Sequence, residues 1–319
     1  MVTFMHNGCM IDSRLLTLRT FASCGTVSTT AELTGYSPSA VSAQLRELQR
    51  SLDMQLLVKD GRGLRLTAAG RYLVKRSDTL IAEWESIKAA ALRAGDQTPT
   101  HFGMGGFSTA ASNLLAPLAA HVKRERPGVQ VHVLEASPAR CLDLLVAERI
   151  DLAVVVASQA EVDVDGDPRF EQISLLNDPL DVIVPADHAV AGNGPVTLEE
   201  LSGEEWITDV PGTPYHDLFT AAFSALGLTP RVSHEAAEWD TSTALVEAGL
   251  GIGLVPRLAS LEGARNVVRV RIAGQRRPTR KIVAAVRSGS AGSPLITESL
   301  AYLRATAQEI LASRLDDES

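Results

Sequence analysis

Leu15, Leu16, Leu18, Phe21 and Ala22 recur with helical spacing, and Gly25 ends the run. A second, short helix is predicted through Ala31, Leu33 and Thr34, with Ser28 as its N-cap. Gly35 supplies the backbone freedom that a tight corner needs. Ser37 is the next N-cap, and Pro38 takes the first helical position, where its missing N–H costs nothing. The third helix runs to about Leu52, with Val41, Leu45, Leu48 and Leu52 on one face. Its other face carries Ser39, Ser42, Ala43 and Arg46. Those side chains are short enough near the helix start to enter a major groove, and Arg46 can reach a phosphate. Two helices around a corner, the second with a free polar face, make a helix-turn-helix. The turn pattern alone fits a plain helical hairpin in a core equally well.

The next stretch separates the two readings. "LLVKDGRGLRLTAAG" predicts a two-stranded wing: apolar Leu56–Val58, a turn at Asp60-Gly61, then Leu64 and Leu66 alternating with Arg65. Lys59 and Arg62 fall near its tip, where a wing meets the DNA backbone or minor groove. Thr67 caps a long helix along which Leu73, Ser77, Leu80, Trp84, Ile87 and Ala91 recur at 4, 3, 4, 3, 4 spacing. That is the seam of a two-helix coiled coil, with Leu73, Leu80, Trp84 and Ile87 as its apolar members. A helix packed on its own domain is the plainer alternative.

After the polar hinge "GDQTPT", strands and helices alternate. The predicted strands are "HFGMGG", "VQVHVLEA", "DLAVVV", "FEQISLL", "PLDVIVP", "EWITD", "RVSHEA", "GIGLVP", "VVRVRI" and "KIVAAVR". Helices are predicted over 109–126, 140–147, 218–226, 241–248 and 293–311, with an irregular acidic loop at 162–167. Such alternation builds parallel sheets covered by helices. Ligands of open α/β sheets lie beyond the strands' carboxyl ends, against helix N-termini. Ser108 and Thr109 in "GGFSTA", Thr213 in "TDVPGTPYH" and Asp240 in "EWDTSTALV" fall at such places. Each also fits an ordinary helix cap, the role to which Asp240 is best suited.

Charge sharpens the division. The chain has 319 residues and a net charge of -8. Residues 37–76 hold eight basic residues against three acidic ones, a net of +5, while 77–319 hold twenty against thirty-three, a net of -13. A basic module on an acidic body attracts phosphates at one end only. No apolar run approaches the ~20 residues that cross a bilayer, so no membrane partner is expected. The N-terminal residues lack the pattern of a secretory signal, and Met10 offers an alternative start. Cys9, Cys24 and Cys141 form no CxxC, and the seven histidines make no ligand cluster; neither metal nor cofactor is expected.

Enzyme motifs do not stand up. "GMGGFS" is not GxGxxG and no Lys follows it, and no GxSxG occurs. The glycines of "GLGIGLVP" precede or occupy a strand instead of opening a helix. Cys141 is alone in the body, so an intradomain disulfide switch is excluded.

The run "STTAELTGYSPSAVSAQLRELQRSLDMQLLVKDGRGLRLTAAG" resembles the LysR-type transcriptional regulators in its order of helix, turn, recognition helix, wing and linker helix. "ERPGVQVHVLEA", "ERIDLAVVV", "DPLDVIVPADHAVA" and "LVEAGLGIGLVP" extend the resemblance over nearly the whole chain. The implied fold is an N-terminal all-α winged helix-turn-helix (10–66) and linker helix (67–94). A hinge (95–100) then leads to an α/β, two-lobe, periplasmic-binding-protein-like effector domain. Lobe one covers 101–178 with 265–319, lobe two 179–264, and the effector lies between them. The implied function is a cytoplasmic, sequence-specific regulator, not an enzyme, working as a homodimer or homotetramer. Its partners are double-stranded operator DNA, a small-molecule effector such as a carboxylate metabolite, and, for an activator, RNA polymerase. DNA contacts are expected from Ser28, Thr29, Ser37, Pro38, Ser39, Ser42, Arg46, Lys59 and Arg62. One departure matters: the family often has Gln before the S-A-V-S segment and Arg after it, where this chain has Pro38 and Ala43. Operator preference therefore does not carry over. The rival reading is a solute-binding or enzymatic α/β protein with an accessory helix-turn-helix, which has no need of salt-sensitive duplex binding.

Overall fold

The computed structural model describes residues 11–61, 63–157, 167–274 and 277–316. Met10, Arg62 and positions 162–166 of the acidic loop lie outside the described residues. The chain forms two compact units. The first holds the residues up to Val155, those up to Ile173 that follow the acidic loop, and Val283–Leu303; the second holds Ser174–Ile282 and the chain from Arg304 on.

The first unit begins with α1 (Ser13–Cys24), α2 (Val27–Thr34) and α3 (Pro38–Leu52). Leu18, Phe21, Ala31, Val41, Leu45 and Leu48 form their common core. The N-cap of α2 is Thr26, not Ser28: its Oγ1 accepts from the Thr29 N–H at 3.1 Å. Thr26 has the extended backbone a cap requires, which leaves Ser28 inside the first turn. Gly35 closes α2 at φ 76°, as the corner demands. Ser37 caps α3, accepting from Ala40 N at 3.2 Å.

Strands β1 (Leu57–Asp60) and β2 (Gly63–Leu66) pair antiparallel as the wing. Gln49 on α3 accepts from both the Leu56 and Leu57 N–H groups at 2.9 Å, tying wing to recognition helix.

Helix α4 (Ala68–Ala94), capped by Thr67, presents two different faces. Ser77, Ile81, Glu85 and Ala89 are buried within the unit. Leu80 and Ile87 are exposed, about 100° around the helix from Ile81. Ser77 therefore belongs to the inner face and not to the seam: it is 4% exposed, and its hydroxyl donates to Val74 O. What covers the inner face includes the 287–292 loop. Gly289, at φ 86°, lies so close that an added Cβ would stand 2.0 Å from Ala82 O.

The α/β part of this unit centres on β3 (His101–Gly106), parallel to both β4 (Gln130–Glu135) and β5 (Leu152–Val156). After β3 the helix runs through α5 (Ser108–Ala110), a π-turn (Ala111–Leu115) and α6 (Ala116–Glu125). Pro117, in the first turn of α6, has no N–H to offer. The wider turn lets the Ala116 N–H reach Ala111 O, and Asn113 Nδ2 takes up the Thr109 carbonyl at 3.0 Å. Helix α7 (Pro138–Val146) packs against α1. There Ser23 donates to Asp143 at 2.6 Å, and Arg149 donates to Thr34 O at 3.3 Å.

The second unit contains most of β6 (Phe170–Pro185), then β7 (Glu205–Thr208), α8 (Pro214–Ser224), β8 (Arg231–Glu235), α9 (Trp239–Glu247), β9 (Ile252–Pro256) and β10 (Val267–Val270). β11 (Thr279–Arg287) leads back, and α10 (Pro294–Asp316) closes the chain. β7 lies between β8 and β9, parallel to both, and β6 runs antiparallel to β9 and β10. Trp206, Phe219 and Phe223 are fully buried in its core, with ring centroids 4.9 to 5.7 Å apart.

Two expectations need correction. "FEQISLL" and "PLDVIVP" form one strand, because the intervening Asp178 is satisfied by Arg280 at 2.6 Å and the Leu258 N–H at 3.0 Å. The return crossing falls at Ile282/Val283, beyond the expected 264/265, because β10 pairs with β6 at Val182–Pro185.

Candidate nucleic-acid interface

On α3, Ser39 and Arg46 are exposed and Ser42 is half-buried, while Val41, Leu45 and Leu48 face the core. The polar face is therefore open along the first two turns. Ser37 and Ser39 hydroxyls lie 2.9 Å apart beside the exposed ring of Pro38. Ser28 is exposed, and Thr29 shares a 2.8 Å hydrogen bond with Thr26. Lys59 is exposed on the wing; Arg62 lies outside the described residues. The helix is thus free to enter a groove, with cations on the same module to hold phosphates. Gln49, which fixes the wing, escaped the sequence reading because a Gln at that position carries no periodic signal.

The positions expected to bind an effector divide between the two units. In the first, Phe107 occupies the helix N-cap without a side-chain bond, so Ser108 is the first helical residue and exposed; Thr109 is buried. In the second, Thr213 is a working cap: its hydroxyl accepts from His216 N at 3.2 Å and donates to Val210 O at 3.0 Å. Asp240 does not cap α9. That place belongs to Glu238, and Asp240 is an exposed carboxylate in the first turn, where it complements the helix dipole. The first turns of α8 and α9 meet through Tyr215 and Trp239, whose rings are 4.5 Å apart. Burial pushes the Tyr215 phenol up, and it stays protonated as a donor to Leu254 O at 2.6 Å.

Thr208 was missed. It ends β7 at 4% exposure, and its hydroxyl has no hydrogen-bond partner. A buried hydroxyl left unpaired at the carboxyl end of a parallel strand stands where such sheets receive ligands. The signal is present in "TDVPGT", which opens on Thr208, but Thr213, five residues later, carries the clearer pattern of a helix cap.

Cys141 is fully buried, and burial pushes its thiol up to about 12. It has no thiolate character at neutral pH. Among the described residues, no group of three or more His, Cys, Asp or Glu could hold a metal ion, and no helix is long and apolar enough to cross a membrane.

A winged helix-turn-helix with an open polar face, joined to an α/β body of ligand-binding type, defines a DNA-binding regulator. Known proteins agree. The bacterial regulatory helix-turn-helix domain of the lysR family matches residues 13–71, and the LysR substrate binding domain matches 96–308. CatR of Pseudomonas putida, an HTH-type transcriptional regulator, is 31% identical over 229 residues, covering 71% of this chain and 75% of CatR. CysB of Burkholderia cenocepacia is 27% identical over 231 residues, 70% of each chain. The fold matches a hydrogen peroxide-bound OxyR variant from Corynebacterium glutamicum, with TM-score 0.60 and 24% identity over 96% of this chain and 95% of that one. HinK of Pseudomonas aeruginosa matches with TM-score 0.56 and 22% identity over 92% and 97%. The chain belongs to the LysR family of transcriptional regulators, with a helix-turn-helix DNA-binding domain and an effector-binding domain.

Proposed function

We propose that this regulator binds operator DNA as a homodimer or homotetramer, and that a small carboxylate effector on its C-terminal domain alters the binding. The observation that carries the reading is the open polar face of α3 on a module of net +5, attached to a body of net -13. Ser39 and Ser42 read base edges, while Arg46 and Lys59 hold phosphates. Leu73, Leu80, Trp84 and Ile87 of α4 form the dimer seam, bringing two recognition helices to two half-sites. Ser108 and Thr109 in the first unit, and Thr208 and Thr213 in the second, supply effector contacts. Helix N–H groups beyond Phe107 favour a negative group. The protein acts in the cytoplasm, and as an activator it engages RNA polymerase.

Sequencing of genomic DNA fragments retained by the purified protein tests this reading. The expected outcome is one recurrent motif with two half-sites spaced by whole helical turns. Retention without sequence preference contradicts it. For the effector, the double change Ser108→Ala and Thr208→Ala should abolish the response to metabolite extracts and leave effector-free binding intact, since a ligand acts only through differential affinity for two states. A double variant that responds at the same extract concentration places the effector elsewhere.

A further inference from the structure

Within the first unit the DNA-binding module rests on the α/β part, with α1 against α7. The Ser23 hydroxyl donates to Asp143 at 2.6 Å and accepts from Arg169 at 3.3 Å. Arg149 donates to Thr34 O at 3.3 Å, at the corner before α3. Arg169 is anchored on Asp167 at 2.6 Å, and the carboxylates of Asp78 and Asp143 also act on it. On the module's side Arg19, 5% exposed, pairs with Asp78 of α4 at 2.8 Å.

Such a seam can part without exposing a core. The module packs Leu18, Phe21, Val41 and Leu45 into an apolar cluster of its own. The groups that meet at these contacts are charged or polar, and each regains water when the seam opens. Closing desolvates them, and their mutual attraction largely offsets that cost, so the two states lie close in free energy. The closed seam also leaves a donor idle. Arg19 Nη1 is buried without a hydrogen-bond partner, beside a water-sized cavity of about 10 Å³ lined by Arg19, Asp78, Val146 and Arg169.

Charge decides what opening does. Residues 135–171, which supply α7, Asp143 and Asp167, hold nine acidic residues against three basic ones, a net of -6. The module they meet holds a net of +5 over 37–76. DNA phosphates and this acidic stretch compete for one positive field, which reaches about 10 Å at 0.1 M salt. The polar face of α3 stays open in the docked module, so the competition is electrostatic and not steric. Helix α7 is also seated closely on β3, the strand that leads to Ser108: a Cβ on Gly105 would stand 3.2 Å from Cys141 Sγ. A shift at that end of β3 is therefore felt at α7.

We propose that the α1–α7 seam is an autoinhibitory latch. Closed, it holds an acidic face beside the module and weakens operator binding; open, it releases the module to DNA. Ser23 and Arg169 are its positioning residues. The latch rests on the reading of α3 as the recognition helix. By reciprocity, operator DNA opens the latch to the same extent that opening favours DNA.

The test compares full-length variants on the selected operator. Arg169→Gln removes a cation, which by charge alone lowers affinity for a polyanion. Through the latch it should raise affinity about tenfold at low salt, the equivalent of one charge-assisted hydrogen bond. Ser23→Ala, neutral in charge, should raise it about threefold, and Arg169→Lys should stay nearest the parent. Both gains should shrink at about 0.5 M salt. Small-angle scattering without DNA, with the mass fixed by light scattering, should show both opened variants more extended than the parent. If Arg169→Gln does not fold, Ser23→Ala carries the test alone. The proposal is overturned if the folded variants bind no more tightly than the parent, if they bind more tightly without extending, or if the gain is the same at every salt concentration. A parent that selects no operator overturns the DNA-binding reading and the latch with it, while scattering still reports the docking.

Discussion

Leu80 and Ile87 are 55% and 51% exposed in the single chain, and both belong to the seam proposed for dimerisation along α4. Burying a whole Leu or Ile side chain contributes about 1.5–3 kcal/mol, so covering the exposed half contributes about 1 kcal/mol each. A symmetric dimer has two copies of each residue, giving about 4 kcal/mol for the four side chains. Leu80→Ala with Ile87→Ala keeps only Cβ at each position and removes about 3 kcal/mol of that, weakening the dimer ~100-fold. Ile81→Ala is the matched control. It is 3% exposed on the inner face, and its loss costs folding about 2–4 kcal/mol while leaving association unchanged. Sedimentation equilibrium from nanomolar to micromolar protein reads the first effect, and thermal denaturation reads the second. The reasoning is refuted if the double variant associates like the parent, or if Ile81→Ala is the change that dissociates the dimer.

Gln49→Ala leaves the Leu56 and Leu57 N–H groups without their acceptor, at a cost of about 1–3 kcal/mol in stability, and hydrogen exchange should quicken at both amides. Gly289→Ala forces a Cβ against Ala82 O at a positive φ, so chemical denaturation should register a loss of about 3 kcal/mol or more. Cys141, with its thiol pushed up to about 12, should resist iodoacetamide at pH 8 in the folded chain and react once the protein is unfolded; rapid labelling of the native protein would contradict its burial.

The DNA-binding module was legible because its signals are local. Helical spacing, Pro38 after a serine cap, the glycine corner and a wing turn all act within a few residues. The misplaced cap of α2 shows the limit: Thr26, Ser28 and Thr29 are equivalent by type, and only the extended backbone of Thr26 selects it. What the sequence hid depends on distant partners. The unbroken course of β6 rests on Asp178 meeting Arg280, 102 residues away. Glu85 on α4 is 2% exposed, paired with Lys88 at 2.6 Å and lying 3.7 Å from Arg287, yet a glutamate on a polar helix announces nothing of this. Thr208 likewise becomes conspicuous only when its burial and its unpaired hydroxyl are seen together.

The central claim is that α3 and the wing read duplex DNA, and the salt dependence of operator affinity tests it most directly. Arg46→Ala and Lys59→Ala should each lower affinity and reduce the slope of log affinity against log salt by ~1, the signature of one lost phosphate contact. Ser39→Ala and Ser42→Ala should leave that slope unchanged and alter which sequences are preferred. Four variants that bind the selected operator with the parent's affinity, slope and preference would contradict the assignment of α3 as the recognition helix.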